Sequence, residues 1–210
     1  MKILAIADLH GSQYRLNIVL KNIEKYSPDL VVICGDITQF GPGEIAKNFL
    51  DQIPVKTFAV HGNIDIENVL KGIENSKAKN IHLKRVIKNG IPFIGIGGGV
   101  PLLFNKTLSN SNCKNEESMR SLIDESTILI SHIPPFGLQD KVFLGVHSGS
   151  KELRKIIDDC KPRLVLCGHI HENPGFTKSN GTIIVNCSIG KKGEGALIDI
   201  NKEINVKMLD

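Results

Sequence analysis

The chain has 210 residues and a net charge of +4, with 41% hydrophobic and 23% charged residues. This composition is typical of a soluble globular protein and argues against a disordered chain. The length suits one domain covering residues 1–210, with a core large enough to need no disulfide bonds. With no Trp, 5% aromatic residues and scattered lysines, the chain lacks the features of a dedicated nucleic-acid binder, so nucleic acid is not an expected partner.

The apolar segments and the cysteines give no indication of export or of a membrane. No apolar stretch approaches the ~20 residues that span a bilayer, and the N-terminal apolar run ends at Asp8, too early for a signal-peptide core. The five cysteines form no C-x-x-C pair, which excludes a thiolate zinc knuckle, and their odd number disfavours a secreted disulfide framework. We therefore expect a cytoplasmic protein with no membrane partner.

Five short apolar runs, each followed by polar residues that can bind metals, are the main feature of the sequence. Runs of this length that are rich in Ile, Val and Leu predict strands buried on both faces. The runs and their polar clusters are Ile3–Ala7 before Asp8-Leu9-His10, Leu30–Cys34 before Gly35-Asp36, Thr57–Val60 before His61-Gly62-Asn63, Ile128–Ser131 before His132, and Leu164–Cys167 before Gly168-His169-Ile170-His171.

Helical apolar spacing between these runs indicates parallel βαβ units. Ser150 is typical of a helix N-cap, and Pro28 and Pro162 mark helix ends. Because ligands bind at the carboxyl ends of strands in such sheets, we expect the five polar clusters to converge on one edge of one sheet. The predicted helices are Tyr14–Tyr26, Glu44–Leu50, Glu117–Asp124 and Ser150–Cys160.

The second half of the chain has a more antiparallel pattern. Asn89-Gly90 predicts a hairpin within Arg85–Ile96. Four later runs predict successive antiparallel strands, so we expect a second, more antiparallel sheet packed on the first. The polar segment Thr107–Glu117 is predicted to be a surface loop. The four later runs are Gly175–Thr177, Thr182–Asn186, Gly195–Ile200 and Ile204–Leu209.

The polar clusters together supply two Asp, one Asn and four His side chains. Oxygen and imidazole donors without thiolates suit a borderline metal such as Mn, Fe or Zn. Seven groups exceed one tetrahedral site and suffice for two ions if one carboxylate bridges them. Two ions about 3.5–4 Å apart can lower the pKa of a shared water toward ~7 and clamp phosphoryl oxygens. This combination can hydrolyse a phosphate ester at neutral pH.

The order and spacing of the clusters resemble the calcineurin-like metallophosphoesterase family, whose signature is D-x-H, G-D, G-N-x-D/E, a lone H and G-H-x-H. The resemblance extends from Met1 to at least Cys187. Segments 131–137, 145–153 and 168–172 are most similar to a small, uncapped branch related to cyclic-nucleotide phosphodiesterases. The resemblance implies an α/β fold: a four-layer αββα sandwich of two mixed sheets flanked by helices.

The resemblance also implies a ligand set for two divalent metal ions. We expect manganese, with Fe, Zn, Ni or Mg as alternatives. A hydroxide that bridges the two ions is then expected to attack phosphorus in line with the leaving oxygen. The implied ligands are Asp8, His10 and His171 for the first ion, Asn63, His132 and His169 for the second, and Asp36 as the bridge.

One position departs from the family pattern. Many members carry His directly after the Asn, where it protonates the leaving group or contacts phosphate, and this chain has Ile64. Either another group serves, or the leaving group departs without a protein acid, which is easier for activated esters. The candidate catalytic replacements are His147 and His61, each with a local structural role as the alternative. His147 precedes the helix predicted from Ser150, whose N-terminus is a natural place for phosphate oxygens.

Two residues outside the ligand set also receive an interpretation. Asp65 is expected either to support the ligands or to cap a helix. His82 has no informative context and is predicted to lie on the surface.

The leading functional hypothesis is a dinuclear metal-dependent phosphohydrolase, and within that class a phosphodiesterase. Its partner would be a phosphate-ester small molecule or a nucleotide. One alternative is a phosphomonoesterase or nucleotide phosphatase, and another is a non-catalytic protein-binding scaffold on the same fold. The complete ligand set favours an enzyme, whereas Ile64 is the feature that favours a scaffold.

Overall fold

A computed structural model of the chain describes residues 1–99 and 119–210. The strands are β1 (Lys2–Ile6), β2 (Leu30–Cys34), β3 (Thr57–Val60), β4 (Lys79–Asn80), β5 (Arg85–Lys88), β6 (Ile91–Ile96), β7 (Ile128–Ser131), β8 (Leu164–Cys167), β9 (Gly175–Ser179), β10 (Thr182–Asn186), β11 (Ile189–Gly190), β12 (Gly193–Glu194), β13 (Ala196–Ile200) and β14 (Ile204–Met208). The helices are α1 (Gln13–Tyr26), α2 (Gly43–Asp51), α3 (Glu67–Glu74) and α4 (Lys151–Cys160), with a 3₁₀ turn at Phe143–Gly145.

The helices predicted between the early strands are confirmed as α1 and α2. At α4, the Ser150 hydroxyl accepts a 3.1 Å hydrogen bond from the Leu153 N–H, which confirms the predicted N-cap. The predicted loop Thr107–Glu117 and the start of the predicted helix Glu117–Asp124 lie outside the described residues. Helix α3 and the short strands β4, β11 and β12 were not predicted from the sequence.

The first sheet has the strand order β14-β13-β1-β2-β3-β4. Strands β1 to β4 run parallel to one another, while β13 and β14 are antiparallel to their neighbours. Every residue of β2 and β3 is buried. Full burial explains why these strands read as continuous apolar runs rather than as alternating patterns.

The second sheet has the strand order β5-β6-β7-β8-β10-β9. Strands β6, β7, β8 and β10 are parallel, and the two edge strands β5 and β9 are antiparallel. The hairpin predicted at Asn89-Gly90 is confirmed as the connection between β5 and β6. Both sheets are therefore mixed.

Three apolar cores hold four layers together. The central core packs the two sheets face to face, and the rings of Phe58 on β3 and Phe93 on β6 meet edge-on with centroids 5.4 Å apart. A second core lies between the first sheet and α1 to α3, with Leu16 and Phe49 among its members. A third lies between the second sheet and α4, where Ile156 is buried. The expected αββα sandwich is thus confirmed.

The prediction that the four last strands form one antiparallel sheet is wrong in part. Strands β9 and β10 pair in the second sheet, but β13 and β14 extend the first sheet, where Ile198 pairs with Ile3 of β1. The physical reason is that alternating burial along β13 specifies a strand with one face on the core, whereas the pairing edge depends on contacts distant in sequence. Of the helices that the structure describes, none combines the length and apolar character needed to cross a bilayer.

Candidate metal centre

The five polar clusters meet at the carboxyl ends of strands from both sheets. Clusters after β1, β2 and β3 come from the first sheet, and those after β7 and β8 come from the second. The prediction that they share one edge of one sheet is therefore wrong, although their convergence is confirmed. The central strands of both sheets are parallel, and the two sheets pack face to face. This packing brings the carboxyl ends of the strands of both sheets to one place. A backbone hydrogen bond from Asp8 N to Gly35 O ties the first two clusters together.

The first group of donors contains Asp8, His10 and His171, with ligand atoms all within 4.8 Å of one another. The Nε2 atoms of His10 and His171 lie 3.2 Å apart, and His171 Nε2 lies 3.4 Å from Asp8 Oδ1. Asp8 is fully buried, and the two histidines are half-buried. The three side chains thus converge on one point beside a buried carboxylate.

The second group contains Asp36, His132 and His169, again with ligand atoms all within 4.8 Å of one another. His132 Nε2 lies 3.4 Å from Asp36 Oδ2 and 2.8 Å from the Asn63 amide oxygen. The rings of His132 and His169 meet edge-on at 5.1 Å. All seven side chains of the predicted ligand set therefore lie in two adjoining groups.

Surrounding atoms fix the orientation of two of these side chains. The Nδ1 atom of His132 lies 2.8 Å from the Cys34 carbonyl oxygen, which can accept only if Nδ1 carries the proton. That bond leaves Nε2 as the nitrogen that faces Asn63 and Asp36, as in metal sites where a carbonyl fixes the imidazole orientation. The Asp8 carboxylate accepts the backbone N–H of His169 at 3.1 Å, which joins the first cluster to the last.

Four of the predicted ligands have a positive φ: Asp8 at 65°, His10 at 50°, Asp36 at 51° and His169 at 70°. Residues other than glycine rarely adopt this left-handed conformation. Such strain costs about 1–3 kcal/mol per residue and concentrates at functional sites. The backbone is therefore bent at these strand ends so that the side chains point at one another.

The electrostatics of the two groups follow one pattern. Burial opposes the charged form of His132, but its interaction with Asp36 and the charge of Asp8 raise its pKa to about 9. The Asp8 carboxylate raises the pKa of His171, while burial lowers the pKa of His10 and His169. Each group thus contains one imidazole that favours the charged form and one that favours the neutral form.

Asp65 acts as a support for two loops. Its buried carboxylate accepts the backbone N–H groups of Ile37 at 3.0 Å, Thr38 at 2.9 Å and Gly62 at 2.9 Å. Burial raises the pKa of Asp65, and these hydrogen bonds oppose the rise. Because α3 begins at Glu67 with Ile66 as its cap residue, Asp65 is not a helix cap. It holds the loop after β2 against the loop after β3, and therefore holds Asp36 next to Asn63.

His61 lies inside the protein beside the centre. Its side chain is 1% exposed, and among the described residues neither ring nitrogen has a hydrogen-bond partner. The prediction that His82 lies on the surface is wrong: its ring packs edge-on against His61 at 4.6 Å, and its Nδ1 accepts the Gly97 N–H at 2.9 Å. Burial lowers the pKa of His61 to about 3 and that of His82 to about 4.

His147 lies on the segment 133–149, which leaves β7 directly after His132 and leads to α4. Its Nδ1 is 2.6 Å from Asp140 Oδ1, and the imidazole is about one-third exposed. Asp140 is a partner that sequence reasoning missed, because a single Asp in a loop carries no local signal of its contacts. Ile64 is only half-buried, and its backbone N–H donates to Asp36 Oδ1 at 3.3 Å.

A cavity of about 570 Å³ lies between α1, residues 189–194 and Asp210, and none of the seven predicted ligands lines it. Arg15 lines it and donates a guanidinium hydrogen bond to the Asp8 carbonyl oxygen. Lys192 also lines it and donates to the carbonyl oxygen of Glu172, the residue after His171. Tyr14 stands at its edge with 75% of its surface exposed. The hydrogen bonds of Arg15 and Lys192 thus link the cavity lining to Asp8 and to the residue after His171.

The donor set fits divalent cations. Asp8 and Asp36 are 0% and 3% exposed, and among the described residues their side-chain ion-pair partners are histidines, with no Lys or Arg. Two buried carboxylates with this surrounding need positive charge. Two imidazole nitrogens facing each other at 3.2 Å suit a shared cation better than a shared proton. Carboxylate, amide and imidazole donors without sulfur are typical of Mn, Fe or Zn sites.

Comparison with known proteins agrees with this geometry. The sequence pattern of the calcineurin-like phosphoesterase family matches residues 1–173. The uncharacterized protein MJ1162 of Methanocaldococcus jannaschii is 36% identical over 200 residues, covering 90% of this chain and 88% of that protein. A probable glycerophosphodiester phosphodiesterase, GpdQ, of Arcobacter nitrofigilis is 28% identical over 175 residues, covering 78% of this chain and 64% of its own length.

The fold also matches a solved structure. The crystal structure of TT1561 from Thermus thermophilus superimposes with a TM-score of 0.72 at 17% sequence identity, covering 99% of this chain and 98% of that one. At this identity the likeness concerns the fold alone. The chain belongs to the calcineurin-like phosphoesterase family, which is metal-dependent, and it is a hydrolase of phosphate esters.

Proposed function

We propose that the chain is a dinuclear metal-dependent phosphodiesterase. The observation that carries the proposal is the pair of adjoining donor groups, Asp8/His10/His171 and Asp36/His132/His169, at the shared edge of the two sheets. Asn63 adds an amide oxygen to the second group. Asp36 would be the carboxylate that bridges the two ions. Manganese is the proposed metal. Two such ions would supply an activated water and would neutralise charge on the phosphoryl oxygens.

The residues of the chain position the reaction. The carbonyl of Cys34 holds the His132 ring in the orientation that directs Nε2 toward the place proposed for the second ion. The backbone N–H of His169 holds the Asp8 carboxylate, and the N–H of Ile64 contacts Asp36. These contacts keep the donors aligned before substrate arrives, which lowers the entropic cost of reaching the transition state.

Two observations support a diester rather than a monoester. The relative from Arcobacter nitrofigilis is described as a probable glycerophosphodiester phosphodiesterase. The cavity of about 570 Å³, whose lining residues Arg15 and Lys192 hydrogen-bond to Asp8 and to Glu172, offers space for a second ester arm. A phosphomonoesterase remains the second candidate, because the same donor groups suit both reactions.

The test uses protein from which a chelator has removed bound metal. Turnover of bis(p-nitrophenyl) phosphate and of p-nitrophenyl phosphate is compared with and without added Mn²⁺. The proposal predicts Mn²⁺-dependent hydrolysis with the higher kcat/KM on the diester. A higher kcat/KM on the monoester would make the protein a phosphomonoesterase. Tight Mn²⁺ binding without turnover of either ester would contradict the enzymatic assignment and favour the scaffold alternative.

A further inference from the structure

The leaving oxygen of an unactivated ester needs a proton, and the described residues of the metal centre offer no free donor for it. Four of the seven histidines, His10, His132, His169 and His171, belong to the two metal groups. Ile64 carries no ionisable group, and His61 is 1% exposed. Burial alone would therefore keep a substrate oxygen from reaching the His61 nitrogens. The remaining histidines are His82 and His147.

His82 is already engaged within the protein. Its Nδ1 accepts the Gly97 N–H, and its ring packs against buried His61. His147 differs in both respects, since about one-third of its side chain is exposed and its Nδ1 meets a carboxylate. Among the described residues no hydrogen bond engages its Nε2, so that atom is open to a ligand.

Asp140 is held in place by the backbone around it. The residue is fully buried, and its Oδ2 accepts N–H groups from Gly137 and Gly149, both at 2.9 Å. Its Oδ1 lies 2.6 Å from His147 Nδ1. A buried carboxylate with one oxygen fully bonded to backbone has a fixed direction, and its other oxygen fixes the plane of the imidazole.

The segment that carries this pair is anchored beside the metal groups. It begins directly after His132, and the buried amide of Asn186 donates both to Gln139 O at 3.3 Å and to Ile170 O at 2.8 Å. Ile170 stands between the two ligands His169 and His171. A single side chain thus connects the loop next to Asp140 with the turn that carries two metal ligands.

We propose that His147 donates the proton to the leaving oxygen and that Asp140 is the residue that positions it. The inference rests on the proposed function. An imidazolium has protons on both nitrogens, so when Asp140 holds Nδ1–H, Nε2–H is left to donate. The oxygen of water forms the new bond to phosphorus and gives up a proton to solvent. The leaving oxygen keeps the electron pair of the broken P–O bond and takes the Nε2 proton, which His147 regains from solvent.

The test uses two diesters, p-nitrophenyl methyl phosphate and benzyl methyl phosphate. They share the methyl arm and differ only in the other arm. A p-nitrophenolate leaves without a proton, whereas a benzyl alkoxide needs one. The His147→Gln variant is expected to lower kcat for the benzyl ester about 100-fold or more and for the nitrophenyl ester less than about 5-fold. The Asp140→Asn variant is expected to show the same selectivity to a smaller degree.

Other outcomes separate this inference from the proposed function. If His147→Gln reduces kcat equally for both esters, or for neither, the proton-donor assignment is wrong while phosphodiester hydrolysis stands. If the wild-type protein hydrolyses neither ester with Mn²⁺, the proposed function fails, and the proton-donor role fails with it. Thermal unfolding and Mn²⁺ titration of each variant check its fold. If Asp140→Asn is unfolded, the assignment is decided by His147→Gln alone, from its kcat on the two esters. His147 is a partly exposed loop residue, so its replacement by Gln is tolerated by the fold.

Discussion

His61 leads to a prediction about acid stability that can be worked out from its burial. Its pKa is lowered from the usual 6.5 to about 3 because burial disfavours the charged imidazole. The unfolded chain therefore binds a proton at a higher pH than the folded chain does. The stability contributed by neutral His61 is fully present above about pH 6.5 and is lost as the pH falls toward about 3.

The size of the effect follows from the distance between pH and the unfolded pKa. A pH of about 5 lies roughly 1.5 units below the usual pKa of histidine, so the imidazole is protonated in the unfolded chain but not in the folded one. At about 1.36 kcal/mol per unit, this difference lowers the free energy of unfolding by about 2 kcal/mol. In the His61→Leu variant this contribution is absent. The free energy of unfolding of wild type should therefore fall about 2 kcal/mol further than that of the variant between about pH 7 and pH 5.

Urea unfolding at pH 7, 6 and 5, followed by circular dichroism in the presence of chelator, measures this difference. The chelator keeps metal occupancy the same in both proteins. The control variant Tyr14→Leu changes a ring that is 75% exposed and does not titrate in this range, so its difference from wild type should stay constant. A constant difference for His61→Leu as well would refute the neutral, buried state of His61.

Three further variants test separate parts of the structure. Asp36→Asn keeps the shape of the side chain but removes its charge, and it is expected to lower kcat more than about 100-fold while the protein still folds, since even loss of a supporting partner costs about 10–100-fold. Gly62→Ala would place a Cβ 1.9 Å from Asp36 Oδ1 and should weaken Mn²⁺ binding in calorimetry. Its control, Gly181→Ala, meets no atom within 4 Å and lies at the opposite end of β10 from the centre. The φ of 88° at Gly181 strains an alanine there, so this variant should lose some stability but keep its Mn²⁺ affinity. Ser150→Ala removes the α4 cap and should lower the urea-derived free energy of unfolding by about 1 kcal/mol without affecting Mn²⁺ binding.

The sequence predicted the strands of the metal centre well because their signal is local. A fully buried strand such as β2 reads as an unbroken apolar run, and a polar residue directly after it stands out. Asp36 and His132 could therefore be assigned to strand ends without knowledge of any contact. Within each sheet, parallel strands present their carboxyl ends to the same edge. Asp36 and His132 meet because the face-to-face packing of the two sheets brings these two edges together.

The sequence could not predict which sheet each strand joins. The pairing of β13 with β1 depends on a register such as Ile198 with Ile3, at opposite ends of the chain, and no local pattern encodes it. The contact of His82 with His61 likewise arises only when β3 and the segment before β5 come together. Asp140 was missed for the same reason, since its importance lies in its bonds to Gly137, His147 and Gly149 rather than in its spacing.

The central claim is that the chain holds two metal ions at the joined edge of its sheets. The most direct test is a crystal structure of the protein grown with Mn²⁺, with anomalous diffraction collected at the manganese edge. We expect two anomalous peaks about 3.5–4 Å apart, one on each side of the Asp36 carboxylate. One peak alone, or none near Asp36, would contradict the dinuclear centre.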